Sequence, residues 1–195
     1  MKNKIGGIIL LIAIIWQTIL YFRLPSFIWE DAFVIPWFVS RGLTFYKDFS
    51  GGSYFPLLKL LMIPVNSILG WNVHTTIVLG YFLAISAILL IYLISQKYLK
   101  GIYKTIPLIF FSIWFGFILK QNTFEINLFL GLLILANIHL LFRWMANPNI
   151  KIPFLMGIVS SVAVFSQQMT IVSMGVIFII ILIYSLTKYW PFKKI

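Results

Sequence analysis

Acidic residues are so scarce in this chain that each position is informative. Among 195 residues there are four, Glu30, Asp31, Asp48 and Glu125, against fifteen lysines and arginines. Glu30 and Asp31 are adjacent, just after an apolar run. Asp48 sits in Tyr46-Lys47-Asp48-Phe49, and Glu125 stands immediately before another apolar run. His74, Gln167 and Gln168 lie at the ends of further runs. A carboxylate held at a low-dielectric boundary is a candidate general base. With a second oxygen donor it is a candidate ligand for a divalent cation. Solvated surface is the competing reading for each acid taken singly. The Glu30-Asp31 pair is harder to explain that way, because Trp29, Phe33 and Trp37 surround it and two anions are costly in an interfacial setting. Neighbouring positions on a helix point about 100° apart, so only one of the two faces a given site.

The elements that must carry these residues follow from composition. The chain is 62% hydrophobic and only 10% charged, with mean hydropathy +1.03. Soluble domains carry about 25% charged residues, so a water-soluble globule is excluded, and a disordered chain more so. The net charge of +11 does not point to nucleic acid, because the basic residues are scattered between apolar runs. No cysteine is present, which excludes disulfides and thiolate chemistry. There is no phosphate-cradling Gly-x-x-x-x-Gly-Lys loop, no dinucleotide Gly-x-Gly-x-x-Gly and no histidine pair with zinc spacing.

Apolar runs long enough to cross a bilayer fall at 5–22, 74–95, 103–119, 126–142, 152–167 and 171–187. These predict an all-α polytopic membrane helix bundle of about six spans, forming a single module over 1–195. The segment 55–70 is apolar but holds Lys59, Pro56, Pro64 and Asn66. A central lysine disfavours insertion by about 2.5–3.5 kcal/mol, so 55–70 is expected to lie in the interface. Six spans with a cytoplasmic N-terminus place ten of the fifteen basic residues inside and all four acids outside, a split of +10 to +1. That obeys the positive-inside rule and puts both termini in the cytoplasm of a cell whose inner or plasma membrane holds the protein. It leaves a long external loop, 23–73, in which a helix bent by Pro36 and ended by Arg41-Gly42 is expected at the membrane surface. Ser26 is its candidate cap. Asn137 and His139 are expected to bond to neighbouring helices.

The loop resembles the first external loop of the GT-C membrane glycosyltransferases, which include protein mannosyltransferases, aminoarabinose transferases and bacterial lipopolysaccharide-type transferases. The resemblance rests on Trp29-Glu30-Asp31-Ala32-Phe33-Val34, Arg41 to Phe49, and Tyr54-Phe55-Pro56-Leu57. Thr123-Phe124-Glu125 is similar to the family's acidic position entering the fourth span. Residues 157–168 are similar to a run that in the family often ends in Lys-Gln, where this chain has Gln167-Gln168. The resemblance implies a GT-C fold of which this chain is the N-terminal part, without the family's C-terminal part. It implies inverting transfer of a sugar from a polyprenyl-phosphate donor to the hydroxyl of a glycan, lipid or protein acceptor. Asp31 would be the base, with Glu30 supporting or replacing it. Glu125 would position the acceptor or a divalent cation. Arg41, Lys47 and Lys59 would meet the lipid phosphate, and Asp48, Tyr54 and Gln168 would complete the substrate site. Membrane lipid is an implied partner, and nucleic acid is not. The alternative expectation is a non-catalytic component of cell-envelope glycan assembly. A small transporter or flippase fits less well, because transport sites favour ionisable residues at the membrane midplane.

Overall fold

The computed structural model describes residues 2–24, 33–44, 47–48, 57–114, 124–168 and 170–189. These form α1 (Lys2–Arg23), α2 (Val34–Ser40), α3 (Leu57–Leu69), α4 (Val73–Tyr98), a 3-10 turn (Gly101–Lys104), α5 (Ile106–Ile113), α6 (Ile126–Ala146), α7 (Lys151–Ser166) and α8 (Thr170–Tyr189). No strand occurs among the described residues.

Local chemistry sets the helix ends. Asn72 precedes α4 and its side chain accepts the Thr75 N–H at 2.9 Å. Glu125 does the same for α6, accepting the Leu128 N–H at 2.8 Å. Each satisfies one of the amide donors that a helix start leaves without an internal partner. Pro107 falls in the first turn of α5, where a missing N–H removes no helical bond. Gly70 joins α3 to α4 at φ +100°, a conformation that a side chain would oppose. Thr75 locks that junction by donating from Oγ1 to the Gly70 carbonyl at 2.8 Å.

The helices turn their apolar side chains outward. On α1, Ile5, Ile8, Ile12, Ile15, Ile19 and Phe22 are exposed, while Ala13, Gln17, Leu20 and Tyr21 are buried. An aqueous protein would do the reverse. Four helical segments, Ile5–Arg23, Val73–Tyr98, Ile126–Ala146 and Thr170–Thr187, are long and apolar enough to cross a membrane, and at most 33% of each is covered by protein. The protein is a helical membrane bundle.

Small residues let the helices approach. Gly80, Ala84 and Ala87 form a buried stripe on α4, and Ala13 of α1 packs with Ile88 and Ile91 of α4. Between lipid-solvated helices, such close packing and side-chain hydrogen bonds replace the hydrophobic effect as the cohesive force. Gln17 Nε2 donates to the Ser112 carbonyl at 3.2 Å, joining α1 to α5. Thr18 and Tyr81 share a 3.0 Å bond between α1 and α4. Asn137 Nδ2 donates to Ser160 Oγ at 3.2 Å, joining α6 to α7 as its polar character predicts. His139 meets Tyr98 of α4 edge to face.

These contacts fix the chain path. Gly6 approaches Gln96 and Thr18 bonds Tyr81, so α1 and α4 are antiparallel. The Phe124 N–H donates to the Thr76 carbonyl at 2.8 Å, so α6 starts beside the start of α4. The part of α4 from Thr76 to Tyr98 is about 33 Å long at 1.5 Å per residue, and α6 begins again at its Thr76 end. Tyr184 of α8 donates to the Met145 carbonyl near the end of α6, so α6 and α8 run parallel and α7 returns between them. Four of the described helices are of spanning length.

Three sequence expectations differ in detail. The 103–119 run becomes helical only at Ile106, because Gly101–Lys104 closes a 3-10 turn first. The 152–167 run forms a 16-residue helix, about 24 Å long and shorter than the roughly 30 Å hydrocarbon core. Pro36 does not bend α2. It lies in the first turn of that seven-residue helix, which ends at Arg41 and a left-handed Gly42 at φ +89°, as expected. Glu30, Asp31, Tyr54, Ser26 and Trp29 lie outside the described residues.

Candidate functional site

Polar groups are concentrated where α4 and α6 begin and α1 ends. Glu125 is 1% exposed. One carboxylate oxygen accepts the Leu128 N–H and the other accepts from Asn127 Nδ2. The capping amide and the positive end of the α6 dipole are what make a buried anion tenable here. The Thr76 carbonyl holds Phe124, the residue before it. Tyr21 is also buried, and it clusters with Ala84, Ala87 and Leu128.

Glu125 and Asn127 close one end of a cavity of about 620 Å³ between α4, α5 and α6. The rest of its wall is almost wholly apolar, with Ala87 and Ile91 from α4, Phe110, Phe111 and Trp114 from the α5 side, and Leu132 and Leu135 from α6. A cavity with one acidic, amide-bearing end and a long apolar body is matched to an amphiphile.

The other sequence candidates are placed differently. Asp48 is exposed and its Oδ2 accepts the Thr44 N–H at 2.7 Å, closing a local turn. Arg41 is exposed, with its guanidinium carbon 5.4 Å from the Trp37 ring centroid. This is cation–π distance. Lys47 is exposed in the same turn as Asp48. Gln168 is exposed between α7 and α8, and Gln167 caps the end of α7 with its backbone N–H.

Lys59 departs most from expectation. Rather than joining Arg41 and Lys47 at the surface, it is fully buried on α3. Leu58, Lys59, Met62 and Asn66 form the inward side of that helix, and Leu58 and Met62 enter the same core cluster as Phe124, Ile126, Ile152 and Met174. Lys59 and Glu125 are thus each one residue from members of one cluster. The signal was present in the sequence as the 3–4 spacing of Leu58, Met62 and Asn66 with Lys59 among them. Gln17 and Ser166 are further fully buried polar residues that position alone did not distinguish from ordinary span residues.

For a divalent cation, the Glu125 oxygens are already engaged, and no three His, Asp or Glu side chains come together among the described residues. The described residues do not form a metal cage. Comparison of the chain with family models, with curated proteins and with solved structures returns no match.

Proposed function

We propose that this chain is a polytopic membrane glycosyltransferase of GT-C type, or the N-terminal module of one, that works on a polyprenyl-phosphate-linked sugar at the external face of the plasma membrane. The observation that carries the reading is the amphiphilic cavity closed by Glu125 and Asn127. A lipid-linked sugar has the same division into polar head and apolar tail. The loop resemblance supplies the chemistry. Six spans with both termini in the cytoplasm put the acids and the loop 23–73 outside.

On this reading Asp31 accepts the proton of the acceptor hydroxyl, with Glu30 beside it. The freed oxygen attacks the anomeric carbon from the face opposite the phosphate. The bond from that carbon to the phosphate oxygen breaks, polyprenyl phosphate leaves, and configuration inverts. Glu125, whose oxygens hold the Leu128 and Asn127 N–H groups, positions the acceptor from the polar end of the cavity, while Asp48, Tyr54 and Gln168 border the sugar. Arg41 and Lys47, both exposed, meet the lipid phosphate. Lys59 is left out of that set because it is buried.

The test is turnover by the purified, reconstituted protein with a panel of polyprenyl-phosphate sugars. Asp31→Asn should lower turnover by about 10²–10⁴-fold with donor binding retained, and Glu30→Gln should cost less. Parental turnover in both variants would sink the mechanism. A second reading, a non-catalytic component of glycan assembly, is favoured by one observation. Both described carboxylates, Asp48 and Glu125, already accept backbone N–H groups. Lipid-linked sugar binding without turnover, for every donor tested, would select it.

A further inference from the structure

The end of the bundle opposite Glu125 holds a second cavity, of about 730 Å³, between the start of α1, the end of α4, the 3-10 turn and the start of α5. Lys97, Lys100 and Lys104 line it together with the carboxamide of Gln96. They come from two elements brought together by the turn at Gly101, whose φ of +58° reverses the chain between Lys100 and Lys104. Lys2 and Lys4 lie in the first turn of α1, at the same end. The two described acids, Asp48 and Glu125, sit elsewhere. No described acid lines the cavity, so among the described residues its charge is wholly positive.

The other walls are apolar. Ile5, Ile9 and Ile109 line the cavity, and Ile5 and Ile109 continue onto the exposed, lipid-facing surface. Gly6 provides the space for Gln96, since a Cβ there would lie 2.8 Å from Gln96 Nε2. A basic mouth with an amide donor, open along an isoleucine wall at membrane depth, fits an anionic head attached to a hydrocarbon chain.

We propose that this cavity binds an anionic phospholipid, with its phosphate among Lys97, Lys100, Lys104 and Gln96 and its acyl chain against Ile5, Ile9 and Ile109. The site is independent of the proposed transferase reaction, which belongs to the other end of the molecule. Three surface-near lysines are together expected to favour an anionic over a zwitterionic lipid by at least about tenfold. The isoleucine wall makes the lipid, rather than a free phosphate, the occupant.

The experiment is native mass spectrometry of the full chain released from mixed micelles, counting retained phosphatidylglycerol against phosphatidylcholine with the same acyl chains. The parent should retain phosphatidylglycerol at least about tenfold better. The triple variant Lys97→Gln, Lys100→Gln, Lys104→Gln should lose that preference, and the triple arginine variant should keep it. Arg143→Gln with Lys151→Gln removes two charges from the same end outside the cavity and should leave the preference unchanged. Gly6→Leu should weaken retention without altering charge. Elution and helical content confirm that each variant is folded. Equal retention by the parent and the triple glutamine variant would overturn the proposal. So would an equal loss in the Arg143/Lys151 variant, which would make the preference a property of total charge. Displacement of phosphatidylglycerol by millimolar glycerol phosphate or inorganic phosphate would overturn the lipid assignment, whereas retention in their presence supports it.

Discussion

Glu125 has two separable duties, as a helix cap and as a charge at the end of the cavity. The cap needs only an oxygen acceptor for the Leu128 N–H, which a glutamine also offers. Glu125→Ala is therefore expected to lower stability by about 1 kcal/mol, the usual value of a side-chain cap, and Glu125→Gln by less. Thermal unfolding in detergent measures both. Equal losses would show that the charge, rather than the cap, is what the fold uses. Lys59 is the complementary case. Its type and its position between two prolines read as a loop cation; the spacing of Leu58, Met62 and Asn66 marks an inward face, but which elements cover that face, α7 and the Phe124 cluster, is set only by the tertiary fold. Burial at such a position is a tertiary event. Lys59→Cys is expected to resist a membrane-impermeant maleimide in the folded protein while Lys47→Cys reacts, since the first position is fully buried and the second exposed. Comparable labelling of the two would return Lys59 to the surface.

At the scale of elements, the long helices were legible because a bilayer imposes a length of about 20 apolar residues that no other solvent does. The shorter ones were not, because their limits depend on local turn chemistry. Gly101 and Pro107 both act on the start of α5, and an apolar count cannot weigh them. The inner and outer faces of a long span were equally hidden, since in lipid both are apolar. The small residues fall on the inner one, although Ile88 and Ile91 of α4 are buried there too. On α4 the buried stripe holds Gly80, Ala84 and Ala87, while Leu89 and Leu93 are exposed. Ala84→Leu should overpack the contacts of α4 with its neighbours and destabilise the bundle by about 1–3 kcal/mol. Leu93→Ala, on the lipid side, should change stability by no more than about 0.5 kcal/mol. Denaturation in mild detergent compares them. A reversal of the order would mean that α4 presents the other face to its neighbours.

For the whole molecule, charge and path make independent arguments that meet at one arrangement. The positive-inside rule alone places Lys97, Lys100, Lys104, Arg143 and Lys151 on one side. The Phe124–Thr76 and Tyr184–Met145 bonds place the α4–α5 and α6–α7 connections at one end of the bundle and the α7–α8 turn toward the other, and the Phe33–Trp71 ring contact brings the start of α2 to that other end. Neither α5 nor α7 reaches spanning length by itself. If both nevertheless cross the bilayer, cysteines introduced at Ser40 and Gln168 should label from one side, and cysteines at Lys100 and Asn147 from the other. All four positions are exposed, and the chain has no cysteine of its own, so each variant reports a single site. Impermeant maleimide applied to intact cells should modify only the Ser40 and Gln168 variants, and permeabilisation should reveal the other two. Labelling of Lys100→Cys in intact cells would place the α4–α5 connection outside and reverse the charge assignment. Labelling of Asn147→Cys together with Gln168→Cys would show that α7 enters the membrane and returns to the same face without crossing it.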